Sequence, residues 1–264
     1  MRKTTWIGLI IVIIGVIGSI MTVKQVTHPE KQRVTETFSV AKISAIDIET
    51  NVAKVEVKQH DADEILVESV IESKKSGKAN IMMDQHDGTL SIHQERLKFI
   101  GALGMFRHKQ KINVYLPKDA DIDDVSIESD VADIALDGID AGTLDIHSSV
   151  GRIHLKDIVA KQISAKSDVG QVKVNDVKGE MDIATDIGEI NYQQQRLIDP
   201  ATLESNVGNI DVTFGEKPKD AKITTHSSVT QVNVFGDEED YIEGNGNTEL
   251  RIITDIGSID VTKE

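Results

Sequence analysis

The chain has 264 residues and a formal net charge of −15, an acidic balance that argues against nucleic acid, whose binding needs a basic face. Cysteine is absent, which excludes disulfides, a lipid-modified cysteine and thiolate metal sites. Aromatics make up only 3% of the residues, and the Val and Ile that fill the strand-like segments suit stacked strands better than a pocket built around rings.

Arg2 and Lys3 precede an uncharged apolar run, Trp6 to Val23. As a helix this run spans roughly 27 Å, enough for a bilayer core. Positive charge ahead of it and net negative charge behind it orient the N-terminus toward the cytoplasm. A cleaved signal peptide is the competing reading, but the stretch after the run, TVKQVTH, offers no small-residue cleavage site. The expectation is a cytoplasmic tip and transmembrane signal anchor over 1–23, a polar tether over 24–33, and an extracytoplasmic remainder. This describes a single-pass protein of the cell membrane.

Residues 34–117 read as an irregular N-terminal β region. Ile46 and Ile48 lead into TNVAKVEV at Thr50, EILVESVIE and KINVYLP alternate as strands do, and QHDGTLSIH predicts a hairpin around Asp87-Gly88. The segment RLKFIGALGMFRHKQK, 96–111, sets Phe99, Ile100, Leu103, Met105 and Phe106 within a basic collar. It has two readings: a cap over the apolar end of the fold, or a contact surface for anionic lipid or a membrane partner.

From residue 118 to 264 one phrase recurs. SDVADIAL, SSVGRIHL, SDVGQVKV, TDIGEINY, SNVGNIDV, SSVTQVNV and TDIGSIDV begin at 129, 148, 167, 185, 205, 227 and 254. A period near twenty residues is a solenoid signature. Within a unit, Leu144, Ile146, Ser148 and Val150 alternate with polar residues, and the alternation skips at Gly151 before Ile153 and Leu155. The pattern predicts a strand, a Gly corner and a second strand, with Val150, Val169 and Ile187 on the inward parity. The Ser/Thr row (Ser129, Ser148, Ser167, Thr185, Ser205, Ser227, Thr254) shares that parity and reads as an internal hydrogen-bonding ladder. The expected fold is all-β: a right-handed parallel β-solenoid of about seven coils of roughly 19–20 residues, preceded by one transmembrane helix.

The anchor, the VYLP strand and the iterated S-x-[VI]-G-x-[IV]-x-[VL] units resemble the bacterial β-strand-repeat family labelled putative adhesin, which includes LiaG-like envelope proteins. The resemblance covers nearly the whole chain. It implies an extracytoplasmic, membrane-anchored β-solenoid, with LiaG-like members associated with cell-envelope stress systems. It carries over no catalytic or ligand residues.

Chemistry-bearing residues are sparse. An outward row, Asp130, Ser149, Asp168, Asp186, Asn206, Ser228 and Asp255, could recruit Ca²⁺, but Asp, Asn and Ser also make local turn bonds and the row is interrupted by neutral residues. His147, His154 and His226 fall on different coils without metal-ligand spacing. Arg152, Arg196 and Arg251 fall on separate units, with no catalytic set around them. No cofactor is implied. The acidic loop at 236–247, with Asp237, Glu238, Glu239, Asp240 and Tyr241, reads as a solvated loop or as a recognition loop for a cationic partner. The expected function is a non-enzymatic, membrane-anchored envelope protein that binds, adheres or scaffolds, with an envelope polymer or a membrane protein as partner. Accessory envelope-stress signalling through a membrane partner is the alternative, and a carbohydrate-active enzyme a distant one.

Overall fold

The computed structural model describes residues 30–73, 81–94, 108–228, 231–237 and 240–264. Within them the regular structure is extended apart from one 3-10 turn at Val40–Lys42, and the strands join in one 20-stranded sheet.

The N-terminal part is largely antiparallel. β1 (Glu30–Ser39) pairs antiparallel with β3 (Glu64–Ser73), and β3 pairs antiparallel with β6 (His108–Pro117). β4 (Ile81–His86) and β5 (Thr89–Gln94) form a hairpin closed by Asp87 and Gly88, both at positive φ (47° and 85°), the geometry a two-residue turn needs. β2 (Ala45–His60) starts the stack. Its first half lies parallel to β5, its second half parallel to β6, and almost all of it parallel to β7 (Asp124–Asp137).

Over residues 143–214, and again in the last two strands, each rung consists of two strands that meet at a glycine corner. β8 (Thr143–Val150) and β9 (Ile153–Lys156) make one rung, β10 (Val159–Val169) and β11 (Val172–Asn175) the next. β12 (Lys178–Ile187) with β13 (Ile190–Gln194), then β14 (Ala201–Val207) with β15 (Ile210–Phe214), continue the series. Adjacent rungs pair parallel and in register, so Leu144, Ile163, Met181 and Ala201 stack in one column and Ile153, Val172, Ile190 and Ile210 in another. These residues are buried, while the intervening Lys and Asp face out, the period-two consequence of a pleated strand with one wet face. Tyr192 and Phe214 are the largest fully buried side chains and meet edge to face at 6.3 Å.

The corner glycine is required by close approach. At Gly188, whose φ lies outside the left-handed region, a Cβ would stand 1.6 Å from the Gly170 carbonyl oxygen of the rung below. That carbonyl also accepts a bond from the Thr185 hydroxyl at 3.3 Å. The Ser/Thr row is buried from Ser129 to Ser205 and at Thr254, as the parity predicts, with Ser227 half-buried, and several of its hydroxyls bond the rung below. Ser167 donates to Gly151 O (2.9 Å), Ser205 to Gly188 O (3.0 Å), and Thr254 to Gly208 O (3.0 Å). Where Ala53 and Ala132 replace the glycine, β2 and β7 continue as single strands with both methyls buried, but the inside–outside alternation still skips there and leaves Val52 and Val131 exposed.

Two expectations are corrected. The sheet is mixed rather than a parallel solenoid, because β1, β3 and β4 pair antiparallel at one end, as does β18 (Tyr241–Glu243) against β16 (Ala221–Ser227) at the other. A terminal rung exposes a row of unpaired N–H and C=O groups, and a hairpin strand covers that row with the shortest connection. Second, stacking order departs from chain order. β19 (Thr248–Ile256) and β20 (Ile259–Lys263) insert between the β14–β15 rung and the rung of β16 and β17 (Val232–Val234). The hydroxyl ladder follows the stack, Ser227 donating to Gly257 O at 3.1 Å. The exchange leaves the shorter strands outermost, where β18 can pair with β16. Among the described residues no helix is long and apolar enough to cross a membrane. The run Trp6 to Val23, on which the transmembrane expectation rested, lies outside the described residues.

Candidate functional site

The most regular exposed feature follows the corners. Val52, Val131, Val150, Val169, Ile187, Val207 and Ile256 pair directly with one another from rung to rung. All are exposed, from 42% at Val207 to 55% at Ile187. This overturns the inward placement of Val150, Val169 and Ile187. The interior of the corner is already filled by the Ser/Thr hydroxyl and the glycine carbonyl it bonds, so the residue between them is turned outward. The result is an apolar ridge along the stack, one side chain per rung at roughly 4.8 Å spacing.

The outward acidic row flanks this ridge and is internally paired. Asp130 accepts from Asn51 Nδ2 at 2.6 Å, and Asp168 lies 3.0 Å from His147 Nε2. Lys166 reaches both Asp168 (3.8 Å) and Asp186 (3.3 Å). Three of the row's four aspartates, Asp130, Asp168 and Asp186, are thus paired with nearby side chains. His154 contacts Asn175 Oδ1 at 3.1 Å, so neither it nor His147 is solitary, while His226 is exposed. Arg152 forks onto Asp133 (3.1 and 2.7 Å) and Arg196 onto Glu216 (3.0 and 2.8 Å). Each guanidinium bridges two rungs.

Phe99, Ile100, Leu103, Met105 and Phe106 lie outside the described residues. Their segment departs from and returns to the β5–β6 end. Gln94, the last residue of β5, accepts from the backbone N–H groups of Asn51 (2.9 Å) and Val52 (3.1 Å) and donates to Gln110 (2.7 Å). The acidic loop belongs to the opposite end of the stack, beside β16. Glu238 and Glu239 also lie outside the described residues. Asp237 bridges to Val234, and Asp240 accepts from the Thr225 N–H (2.8 Å) and hydroxyl (3.2 Å). Tyr241 packs edge-on against Phe235 at 5.1 Å beneath Lys217 and donates its hydroxyl to Pro218 O at 2.7 Å. Burial, then the Glu243 charge, raises the Tyr241 pKa. This loop is therefore a hairpin cap on the terminal rung.

Sequence reasoning missed one cluster. On the outward face, Asp47 and Glu49 of β2 and His93 of β5 bring their donor atoms within 4.8 Å of one another, with Glu49 Oε2 3.2 Å from His93 Nδ1. Partial burial raises the Asp47 pKa; His93 lowers it and the Glu49 charge adds to the rise. The D-x-E alternation was legible, but its meeting with His93 depends on the parallel β2–β5 register, which joins positions far apart in the chain.

Solved structures offer distant likenesses. A putative adhesin from Bacteroides fragilis NCTC 9343 aligns with a TM-score of 0.49 at 13% identity, over 90% of this chain and 99% of that one. A putative cell adhesion protein from Clostridium sporogenes ATCC 15579 gives 0.40 at 18% identity, over 89% and 100%. A putative lipid binding protein from Parabacteroides distasonis ATCC 8503 gives 0.36 at 17% identity, over 90% and 97%. No curated protein matches the chain. The family model Toastrack DUF4097 matches residues 43–262, from the strand that starts the stack to the last strand of the fold. The chain belongs to the Toastrack DUF4097 family.

Proposed function

We propose that the chain is a non-enzymatic binding module of the cell envelope, which lies along an elongated partner, an envelope polymer or the extracytoplasmic face of a membrane protein. The observation that carries this reading is the in-register ridge from Val52 to Ile256. A flat repeat of half-exposed β-branched side chains suits a long, repetitive partner better than a small molecule. The shallow recess lined by Gln59, Leu116, Pro117, Ala120, Ile139 and Asp140 encloses essentially no volume of its own, far below the roughly 300 Å³ at which ligand pockets begin. The basic residues ahead of the run Trp6 to Val23, and the acidic balance behind it, favour display outside the cytoplasm.

The test is co-sedimentation of the full chain with purified wall and membrane fractions, beside the triple variant Val150→Asp, Val169→Asp, Val207→Asp. Capture by either fraction that the triple variant loses, at unchanged melting temperature, supports the ridge as the contact. Equal capture of both proteins removes it.

A further inference from the structure

We propose that Asp47, Glu49 and His93 form a binding site for a divalent transition-metal ion of Zn²⁺ type. Two observations carry it. The donors are held by the best-supported part of the sheet: Glu49 sits directly opposite His93, while Ile48 and its partner Ile92, between the donors, are fully buried and anchor both strands from below. Two donors about 2.1 Å from a tetrahedral ion stand about 3.4 Å apart. The present separations, 4.8 Å at most, therefore close by side-chain rotation alone. Glu49, with 60% of its side chain exposed, is free to supply it.

The second observation is an excess of carboxylates: the basic groups facing them are the imidazoles of His93, 3.2 Å from Glu49, and of His147, opposite Glu128. On its other flank Glu49 lies directly opposite Glu128 of β7, a like-charge cross-strand pair that is unfavourable by itself. Asp47 stands two residues along the same face. Among the described residues no lysine or arginine pairs with Asp47, Glu49 or Glu128, whereas Glu56, farther along β2, draws Lys54, Lys58 and Lys111. A bound cation relieves the repulsion among the three carboxylates. Its class follows from the donors: an imidazole with carboxylates suits Zn²⁺ and its neighbours, while Ca²⁺ requires six or more oxygens. Three protein donors on an open face leave the remaining positions to water or to an external donor. The inference is independent of the ridge.

The experiment is calorimetric titration of the full chain with Zn²⁺ and with Ca²⁺, alongside His93→Ala, Asp47→Asn and the control His154→Ala. The wild type and the control are expected to take up Zn²⁺ in a saturable step. Both site variants are expected to weaken that step about tenfold or more, and Ca²⁺ to produce none. The Asp47 and His93 side chains are half-buried on the outward face, and circular dichroism verifies that each variant is folded. A second readout is the His93 imidazole resonances, which should shift on adding Zn²⁺ to the wild type and to Glu128→Gln alike. Unchanged Zn²⁺ affinity in His93→Ala or Asp47→Asn, equal uptake of Ca²⁺, or silent His93 resonances would overturn the proposal.

Discussion

Val169 and Val172 stand on either side of the Gly170 corner and face opposite ways: Val169 is 45% exposed and Val172 fully buried. Val172→Asp places an unpaired charge between Ile153 and Ile190 and should cost about 4 kcal/mol or more, enough to unfold a marginal domain. Val169→Asp, already in solvent, should change stability by about 0.5 kcal/mol or less. Urea denaturation of the two variants measures the difference. Similar losses would contradict the corner geometry.

The hydroxyl ladder makes a second contrast. Ser167→Ala removes the bond to Gly151 O and should cost about 1 kcal/mol. Ser148 is equally buried, yet its hydroxyl finds no partner among the described residues. Ser148→Ala should therefore be neutral or slightly stabilising, since a buried hydroxyl without a partner contributes only its desolvation cost. Thermal melts of both variants, run side by side, separate a ladder of bonds from a simple preference for small residues.

Glu56 should make stability fall in acid. Burial opposes its charge, but Lys54 and Lys111, at 2.8 and 2.9 Å, outweigh that and hold its pKa at about 2, against an ordinary value of 4.5. Because the folded value is the lower one, the contribution is complete above pH 4.5 and disappears as pH falls through about 2. Solvent screening of these partly exposed partners limits it to about 1 kcal/mol. Glu56→Gln should lower stability by that amount at pH 7 and flatten the acid limb of the stability curve. An unchanged slope between pH 4.5 and 2 would count against the pairing.

Replacing 237–246 by a Gly-Asn turn removes β18 with its pairing to β16, and the Asp240–Thr225 bonds. A freely solvated loop would leave stability unchanged. The hairpin cap instead predicts a fall in Tm of several degrees, about 4 °C or more, and new self-association through the bared β16 edge. Light scattering and calorimetry provide the two readings.

Local chemistry made much of this legible. The iterated S-x-[VI]-G phrase located the rungs, period-two alternation identified Leu144, Ile146 and Ile153 as core, and Asp87-Gly88 marked its hairpin. Each depends on neighbours within a few residues. The ridge was misread for the same reason: parity propagates along an extended strand, but the hydroxyl–carbonyl bond that fills the corner comes from another rung. The Asp47, Glu49 and His93 cluster was invisible because only the pairing of β2 with β5 brings it together. The same holds for the mixed sheet and the exchanged stacking order of 248–263 and 221–234. Every rung carries nearly the same phrase, so the phrase determines that rungs stack but not which stack on which. Only the tertiary structure decides that, through the need to cover the backbone edges at the two ends.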